Sequence, residues 1–467
     1  MRTSELHFDV VVIGAGTAGL VAGAQLAQSG ARVAVVARGH GSTHLAPATI
    51  DVGSYIPDST GSGTGPGVGP YTGSGVGSDS DARKTIAAAS GREGFEALAA
   101  AYPGHPYAKL GAASVEQGIE WLRQSLATGP LPGYDYVGSF DSHLHLPTAL
   151  GALRPSVLAP ITMAAGDRDA LSSVALVGSP WLRDFHPALC AANLRAAGID
   201  ARPVIVELEL EKADANCVTL ARHCEQAAWR RDFCAHLRPL LGDAAAVGLP
   251  AMLGLRDPVG IWTELQERLG RPLFEIPLLP PSVPGMRLYE VLRHTLRAAG
   301  GRLMLGAEIH GHERDDSHLR SVRAHTAGRD LNYRADWFVL ASGGFASGAI
   351  ELDADWVTQD RVLGLPLTGV PPAGAPRFLP DYSAEQPLAR AGIASDAQLL
   401  AEGTDNVLVV GAALAGAASW REGSGEGIAL ASATKAAQFI AGAPIKQTTS
   451  PVTTEPRTAG NELEAGR

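Results

Sequence analysis

Val10-Val11-Val12-Ile13-Gly14-Ala15-Gly16-Thr17-Ala18-Gly19-Leu20 is the stretch that decides the fold. Four β-favouring residues run into three glycines at G-x-G-x-x-G spacing, and an Ala-rich segment of helical period follows. The order is strand, tight turn, helix, as a dinucleotide-binding unit requires. Gly14 permits the turn, Gly16 lets the backbone approach a phosphate, and Gly19 lets helix and strand pack closely. The helix N-terminus offers N–H groups and a positive dipole to an anion. Ala31 to Val36 supplies the second strand after Ser29-Gly30.

Further along, Asp58 to Asp81 is dominated by Gly, Ser and Thr. It carries too little apolar surface to order itself and is expected to be a flexible surface insertion. Residues 85–130 read as helical, with Phe95, Leu98 and Ala101 on one face and Val115, Ile119 and Leu122 on another. From 173 an alternation begins: a strand at Val174–Gly178, a helix over Asp184–Ala197, a strand at Val204–Val206, and a helix over Gly260–Leu269 between two apolar runs. Such repetition implies a parallel or mixed sheet covered by helices. A helix over Pro284–Ala299 leads to a strand, a hairpin, and a strand from Ala335 that ends on Gly343-Gly344. A last strand, Asn406–Gly411, precedes Gly423–Gly427 and a helix over Ile428–Ile440. The expected fold is α/β: a discontinuous Rossmann-like domain, 1–57 with 279–443, and an inserted α/β domain over 85–278. The tail, 444–467, is expected to be disordered.

The formal net charge is −10 and no basic block appears, so neither nucleic acid nor an anionic membrane is expected as a direct partner. An anionic substrate would need locally placed arginines. With 45% apolar and 18% charged residues, the composition suits a soluble globular chain with a large core. The first apolar run is a strand and no stretch reaches membrane-spanning length. Neither a signal peptide nor a transmembrane helix is expected, and membrane contact would go through a partner. Cys190, Cys217, Cys224 and Cys234 form no C-x-x-C and no Cys/His metal spacing; they read as reduced thiols. Without G-x-x-x-x-G-K-[ST], H-E-x-x-H or G-x-S-x-G, phosphoryl transfer and zinc or serine hydrolysis have no support.

Three pieces, the N-terminal G-x-G-x-x-G, the strand ending at Gly343-Gly344 and the late strand–Gly411–helix, together resemble flavoproteins of the glutathione-reductase and fumarate-reductase type. A closer likeness rests on five segments in order: His105-Pro106-Tyr107, Leu150 to Pro155, Leu182-Arg183-Asp184-Phe185, Leu279 to Leu288, and Val339 to Phe345. Together they resemble the B-type subunits of the anaerobic, quinone-linked glycerol-3-phosphate dehydrogenases, over nearly the whole chain outside 58–81 and the tail. Leu279-Pro280-Pro281-Ser282-Val283-Pro284-Gly285 is the most specific part. The resemblance implies a flavoprotein carrying FMN, working with a flavin-containing A-type partner and an iron–sulfur C-type partner. It implies oxidation of glycerol 3-phosphate to dihydroxyacetone phosphate with electrons passed to quinone. It also implies a cytoplasmic chain, peripheral on the inner membrane face through a partner.

Cofactor contacts are expected from Gly14, Gly16, Gly19, Arg38, Gly39, Gly343, Gly344, Gly411, Ala412, Gly425 and Gly427. Two positions depart from the related flavoproteins. Ala37 stands where an acid at the end of the second strand holds the adenosine ribose, and Ala412 stands where an acid meets the ribityl chain. The missing acid favours FMN, with FAD as the alternative. His44, just past the second strand, reads as a structural or solvent-facing histidine rather than a covalent flavin link. For the reaction pocket, His105 is the expected base for an O–H proton. Arg154 and Arg287 are the expected partners of a phosphoryl or carboxylate group. Each has a plainer reading: His105 fixing a turn before Pro106, Arg154 pairing with a carboxylate, Arg287 sitting exposed at a helix start. Two rival functions stay open: a stand-alone FAD oxidoreductase on another small substrate, and a flavin-free structural subunit.

Overall fold

The structure, a computed structural model, describes residues 4–57, 85–207, 215–381 and 384–443. Both the Gly/Ser-rich insertion and the tail lie outside the described residues. β1 (Ser4–Ile13) turns at Gly14 into α1 (Thr17–Gln28) and returns as β2 (Val33–Ala37). The exit from α1 is Ser29-Gly30, with Gly30 at φ 94°. Helices α2 (Gly91–Ala101) and α3 (Ala112–Ala127) follow; Ser90 caps α2 by accepting from the Glu93 N–H. The alternating stretch then forms β3 (Ser173–Gly178), α4 (Pro187–Ala196), β4 (Asp200–Ile205), β5 (Ala246–Pro250), α5 (Pro258–Leu269) and β6 (Leu273–Ile276). The chain returns through α6 (Val283–Ala298), β7 (Arg302–Leu305), β8 (Glu308–Asp315), β9 (His318–His325) and β10 (Asp330–Leu340). It ends with β11 (Val407–Val409) and α7 (Gly425–Gly442).

One sheet has the order β7-β2-β1-β10-β9-β8, with β11 also paired to β10. The strands nearest the glycine motif are parallel: Val10 stands opposite Val33 and Trp337, and Leu340 opposite Val409. Such strands, covered on both faces, are apolar at every position, as Val33 to Ala37 shows by being buried throughout. The second sheet, β4-β3-β5-β6, is parallel too and has its own core, from Val174 and Leu176 to Phe274 and Ile276.

The expected α/β class is what the structure contains, and strands from residues 4–37 and 302–409 share one sheet. The boundary at residue 85 is corrected. Phe95, Leu98, Val115, Ile119 and Leu122 join the core of the first sheet, and α3 packs on α7. Their apolar faces are needed to bury α7, so the second core begins only near Leu153. The helix expected from Asp184 starts at Pro187, whose fixed φ suits a first turn. The one expected from Ile428 begins three residues earlier.

Candidate cofactor and substrate site

The parallel strands β1, β2, β10 and β11 all deliver their C-terminal ends to one edge, where ligands of such sheets bind. Backbone bonds lock the edge: Gly14 N–H to Val36 O at 2.9 Å, Ala341 N–H to Ile13 O at 2.9 Å, and Val410 N–H to Leu340 O at 3.0 Å. Gly14 has φ 116°, and a Cβ there would collide with the Ala341 carbonyl. At Gly19 a Cβ would collide with the carbonyl of Gly14, and at Gly411 it would come 2.8 Å from Ala18 Cβ. One at Gly344 would come 2.9 Å from Ala412 O. The three glycine-bearing turns therefore meet. Gly16 differs: a Cβ there meets nothing within 4 Å, and as the N-cap of α1 it offers no side-chain cap. Open space above an uncapped helix N-terminus fits a diphosphate.

The remaining expected contacts divide. Gly343, at φ 84°, and the exposed Ala412 lie on the rim of this crevice. Arg38 and Gly39 are exposed just past β2, and Arg38 Nη1 is 3.5 Å from Glu308 Oε1. Gly425 opens α7 with room around it. Gly427 is corrected to a packing glycine, since a Cβ would run into Tyr107 Oη and Val52. His44 stacks on His40 at 4.5 Å and meets Tyr289 edge-on, and burial lowers its pKa.

The three residues expected in one reaction pocket sit in three different settings. His105 is fully buried, and both ring nitrogens are committed. Nδ1 accepts from the Tyr107 N–H at 3.1 Å, so Nε2 carries the proton and donates to Glu422 at 3.1 Å. No lone pair is left for a substrate proton, so the expected base is instead a positioning residue. Glu422 also accepts from Arg390 Nη1 at 2.7 Å and Ser424 Oγ at 2.9 Å. Burial works to raise its pKa, but the His105, Arg390 and Ser424 donors outweigh that and hold it below the usual range. The network walls a cleft of about 280 Å³ lined by Tyr102, His105, Thr368 and Arg390.

Arg287 is likewise corrected. It is fully buried and doubly bonded to Glu275, Nη1–Oε2 at 2.6 Å and Nη2–Oε1 at 3.0 Å, and so cannot meet a ligand. Arg154 is the one of the three that reaches the surface: its side chain is 37% exposed while Asp51, its partner, is wholly buried. Both Nε, at 2.7 Å, and Nη2 bond to Asp51 Oδ2.

Sequence reading missed Asp51 and did not weigh Glu426 by itself. The two are joined through the backbone, as the Gly427 N–H donates to Asp51 O at 3.0 Å. Burial, then the Asp51 charge, push the Glu426 carboxyl up to about 7, against the pull of Arg154. A carboxyl whose folded pKa is raised contributes fully below its ordinary pKa of about 4.3, and that contribution is lost as pH rises through 7. Glu426→Gln is therefore expected to stabilise the flavin-free chain by about 3 kcal/mol at pH 8 and by almost nothing at pH 4.5. Urea denaturation at both pH values checks this, and an equal effect at both would refute it.

An FAD binding domain family matches residues 9–428. The anaerobic glycerol-3-phosphate dehydrogenase B-type subunit of Yersinia pseudotuberculosis is 30% identical over 455 residues, covering 93% of this chain and 98% of that protein. Its namesake in Pectobacterium carotovorum is 29% identical over 457 residues, covering 93% and 99%. A solved structure of a quinol fumarate reductase FrdA variant from E. coli aligns with TM-score 0.41 at 10% identity, covering 94% of this chain and 70% of that one. The matching domain is named for FAD, so the expectation of FMN, drawn from the missing acid at Ala37, finds no support in it. The matched domain and these two relatives, each aligned over nearly its full length, place the chain in the B-type subunit family of the anaerobic glycerol-3-phosphate dehydrogenases, among the FAD-binding oxidoreductases.

Proposed function

We propose that this chain binds FAD and oxidises glycerol 3-phosphate to dihydroxyacetone phosphate within a complex containing a flavin-bearing A-type partner and an iron–sulfur C-type partner. The electrons would pass through the iron–sulfur partner to quinone, with the chain held on the inner membrane face by its partners. Among the described residues no helix is long and apolar enough to cross a membrane. The observation that carries this reading is the meeting of three glycine turns at one sheet edge, with Gly411 bonded to Ser432 of α7, the helix whose start carries the Asp51–Arg154–Glu426 group.

Gly14, Gly16 and Gly19 would admit the diphosphate, and the α7 N-terminus would face the flavin ring. When bound, the flavin supplies a two-electron acceptor for hydride. The protein must then bind the alcohol, hold its phosphate and take the hydroxyl proton as C–O becomes C=O. Arg154 suits the phosphate. Glu426, poised at about 7, suits the proton.

Glu308 answers the vacancy at Ala37. The Ala307 N–H bonds to Ala37 O at 3.0 Å, so the next residue brings a carboxylate beside the end of β2. In this reading Glu308 holds the adenosine ribose. Glu308→Gln is expected to weaken FAD binding about tenfold and leave FMN binding unchanged, as titration calorimetry would show; equal losses for both flavins would remove Glu308 from the site. For the function as a whole, the purified complex should show a flavin spectrum, release FAD on acid treatment and bleach anaerobically with glycerol 3-phosphate. A colourless chain that gains nothing from added flavin would leave a purely structural role.

A further inference from the structure

The loop from Ala48 to Ser54 is buried along its whole length, and Ala48 holds φ 66°. A buried loop must satisfy its backbone internally, and this one does so at several points. Ile50 exchanges bonds with Leu158 at 2.8 and 3.2 Å, and the N–H groups of Gly53 and Ser54 both donate to Gly423 O. Ser54 Oγ donates to Pro155 O at 2.7 Å.

The side chains behave otherwise. Arg154 places two donors on one oxygen of Asp51, and the other, Oδ1, is buried with no partner among the described residues. Thr49 Oγ1 and Ser156 Oγ are buried and unpartnered as well. All three residues are at least nine-tenths buried, and the loop's bonds to Leu158 hold Thr49 and Asp51 alongside Ser156. An unsatisfied buried group costs about 1–3 kcal/mol, and more when charged. Three on two backbone segments bonded to each other suit a ligand. A carboxylate oxygen can only accept, so the ligand must donate. Hydroxyls of Ser and Thr both donate and accept, which matches a second hydroxyl. Arg154, part-exposed, spends Nε and Nη2 on Asp51 and keeps Nη1, which suits an anion.

We propose that Thr49, Asp51 and Ser156 form the hydroxyl-recognising floor of the substrate pocket, with Asp51 Oδ1 accepting an O–H from a small hydroxylated anion held by Arg154. This rests on the oxidoreductase reading and adds the residues that set its specificity. A site built to bond a hydroxyl rejects the analogue that lacks it, because its own polar groups are then left unpaired.

The test is calorimetric binding to the flavin-loaded complex, comparing glycerol 3-phosphate with 2-hydroxypropyl phosphate, which has one hydroxyl fewer. The wild type is expected to prefer glycerol 3-phosphate by more than about tenfold. In Asp51→Asn the donors of Arg154 draw the amide oxygen, so the NH₂ faces the pocket where an acceptor stood. The preference should then fall to within about threefold. Thr49→Val and Ser156→Ala, milder changes, should each lower it partially, and they serve if Asp51→Asn does not fold. Equal binding of the two phosphates by the wild type would mean that the buried atoms hold water only, and would overturn the proposal. So would a full preference retained in Asp51→Asn. Should the wild type ignore both phosphates but prefer malate over succinate, with Asp51→Asn erasing that preference, the floor stands and the glycerol 3-phosphate assignment falls.

Discussion

Arg287→Met is expected to destabilise the chain by about 3–5 kcal/mol, the usual cost of stripping one partner from a buried ion pair. The side chain is replaced by one of similar length, so the loss is electrostatic rather than a cavity. Arg287 also donates from Nε to Gly254 O at 2.8 Å and lies 5.9 Å from the Tyr134 ring. Glu275 keeps Thr162 Oγ1 at 2.7 Å and the Leu253 N–H at 2.9 Å, but these neutral donors do not replace a guanidinium. Burial opposes the charge on Arg287, and the Glu275 carboxylate outweighs it, holding the arginine pKa above its ordinary value. The pair also joins α6 of the first core to β6 of the second, so its loss should loosen the two cores from each other. Denaturant midpoints measure the cost. The double change Arg287→Met with Glu275→Leu should recover most of it, because an apolar pair of similar volume needs no desolvated charge. A double variant no better than the single one would show that the arginine acts through packing.

Gly14→Ala should have the larger effect on cofactor. At φ 116° a Cβ is strained whatever the space, and here the obstacle is the Ala341 carbonyl, part of the backbone just past β10. No side chain can swing aside. Relief requires β1 and β10 to part at the edge that forms the site, which also breaks the fit of Gly19 against the Gly14 carbonyl. Flavin affinity is expected to fall by at least about a hundredfold, the cost of about 3 kcal/mol of backbone displacement. Fluorescence titration with FAD checks this. Gly328→Ala, exposed and with open space for a Cβ, is the control expected to lose nothing. An alanine at 14 that binds FAD normally would mean that the turn does not frame the cofactor.

Much of the fold was legible because the chemistry is local. G-x-G-x-x-G after a β-branched run specifies strand, turn and helix within a dozen residues, and the double glycine at 343–344 and the turn at 411 mark the other strand ends. The division of cores was less so. Phe95 and Val115 announce an amphipathic helix but not which sheet it covers, and that is settled by α7, more than 300 residues away. The site was legible only for its backbone. Glycines advertise a close approach, whereas a side chain's role depends on what stands opposite. His105 and Arg287 carry chemically apt groups, yet Glu422 and Glu275 consume them. Asp51 gave no signal beyond an acid in an otherwise apolar, non-periodic stretch. Its importance comes from Arg154 spending both donors on a single oxygen.

The central strand also sets an order of synthesis. β1 is made before its β10 neighbour by about 320 residues, and the Gly423 carbonyl that anchors the Asp51 loop is made later still. At about 5–20 residues per second that is a wait of roughly 15–60 s, during which one flank of an apolar strand has no partner. The N-terminal strand–helix–strand can dock locally, but no cradle for a flavin exists until the last helix has emerged. A site framed by β1, β10 and α7 is therefore complete only once α7 has been made, and the strand waits with one flank open over that interval.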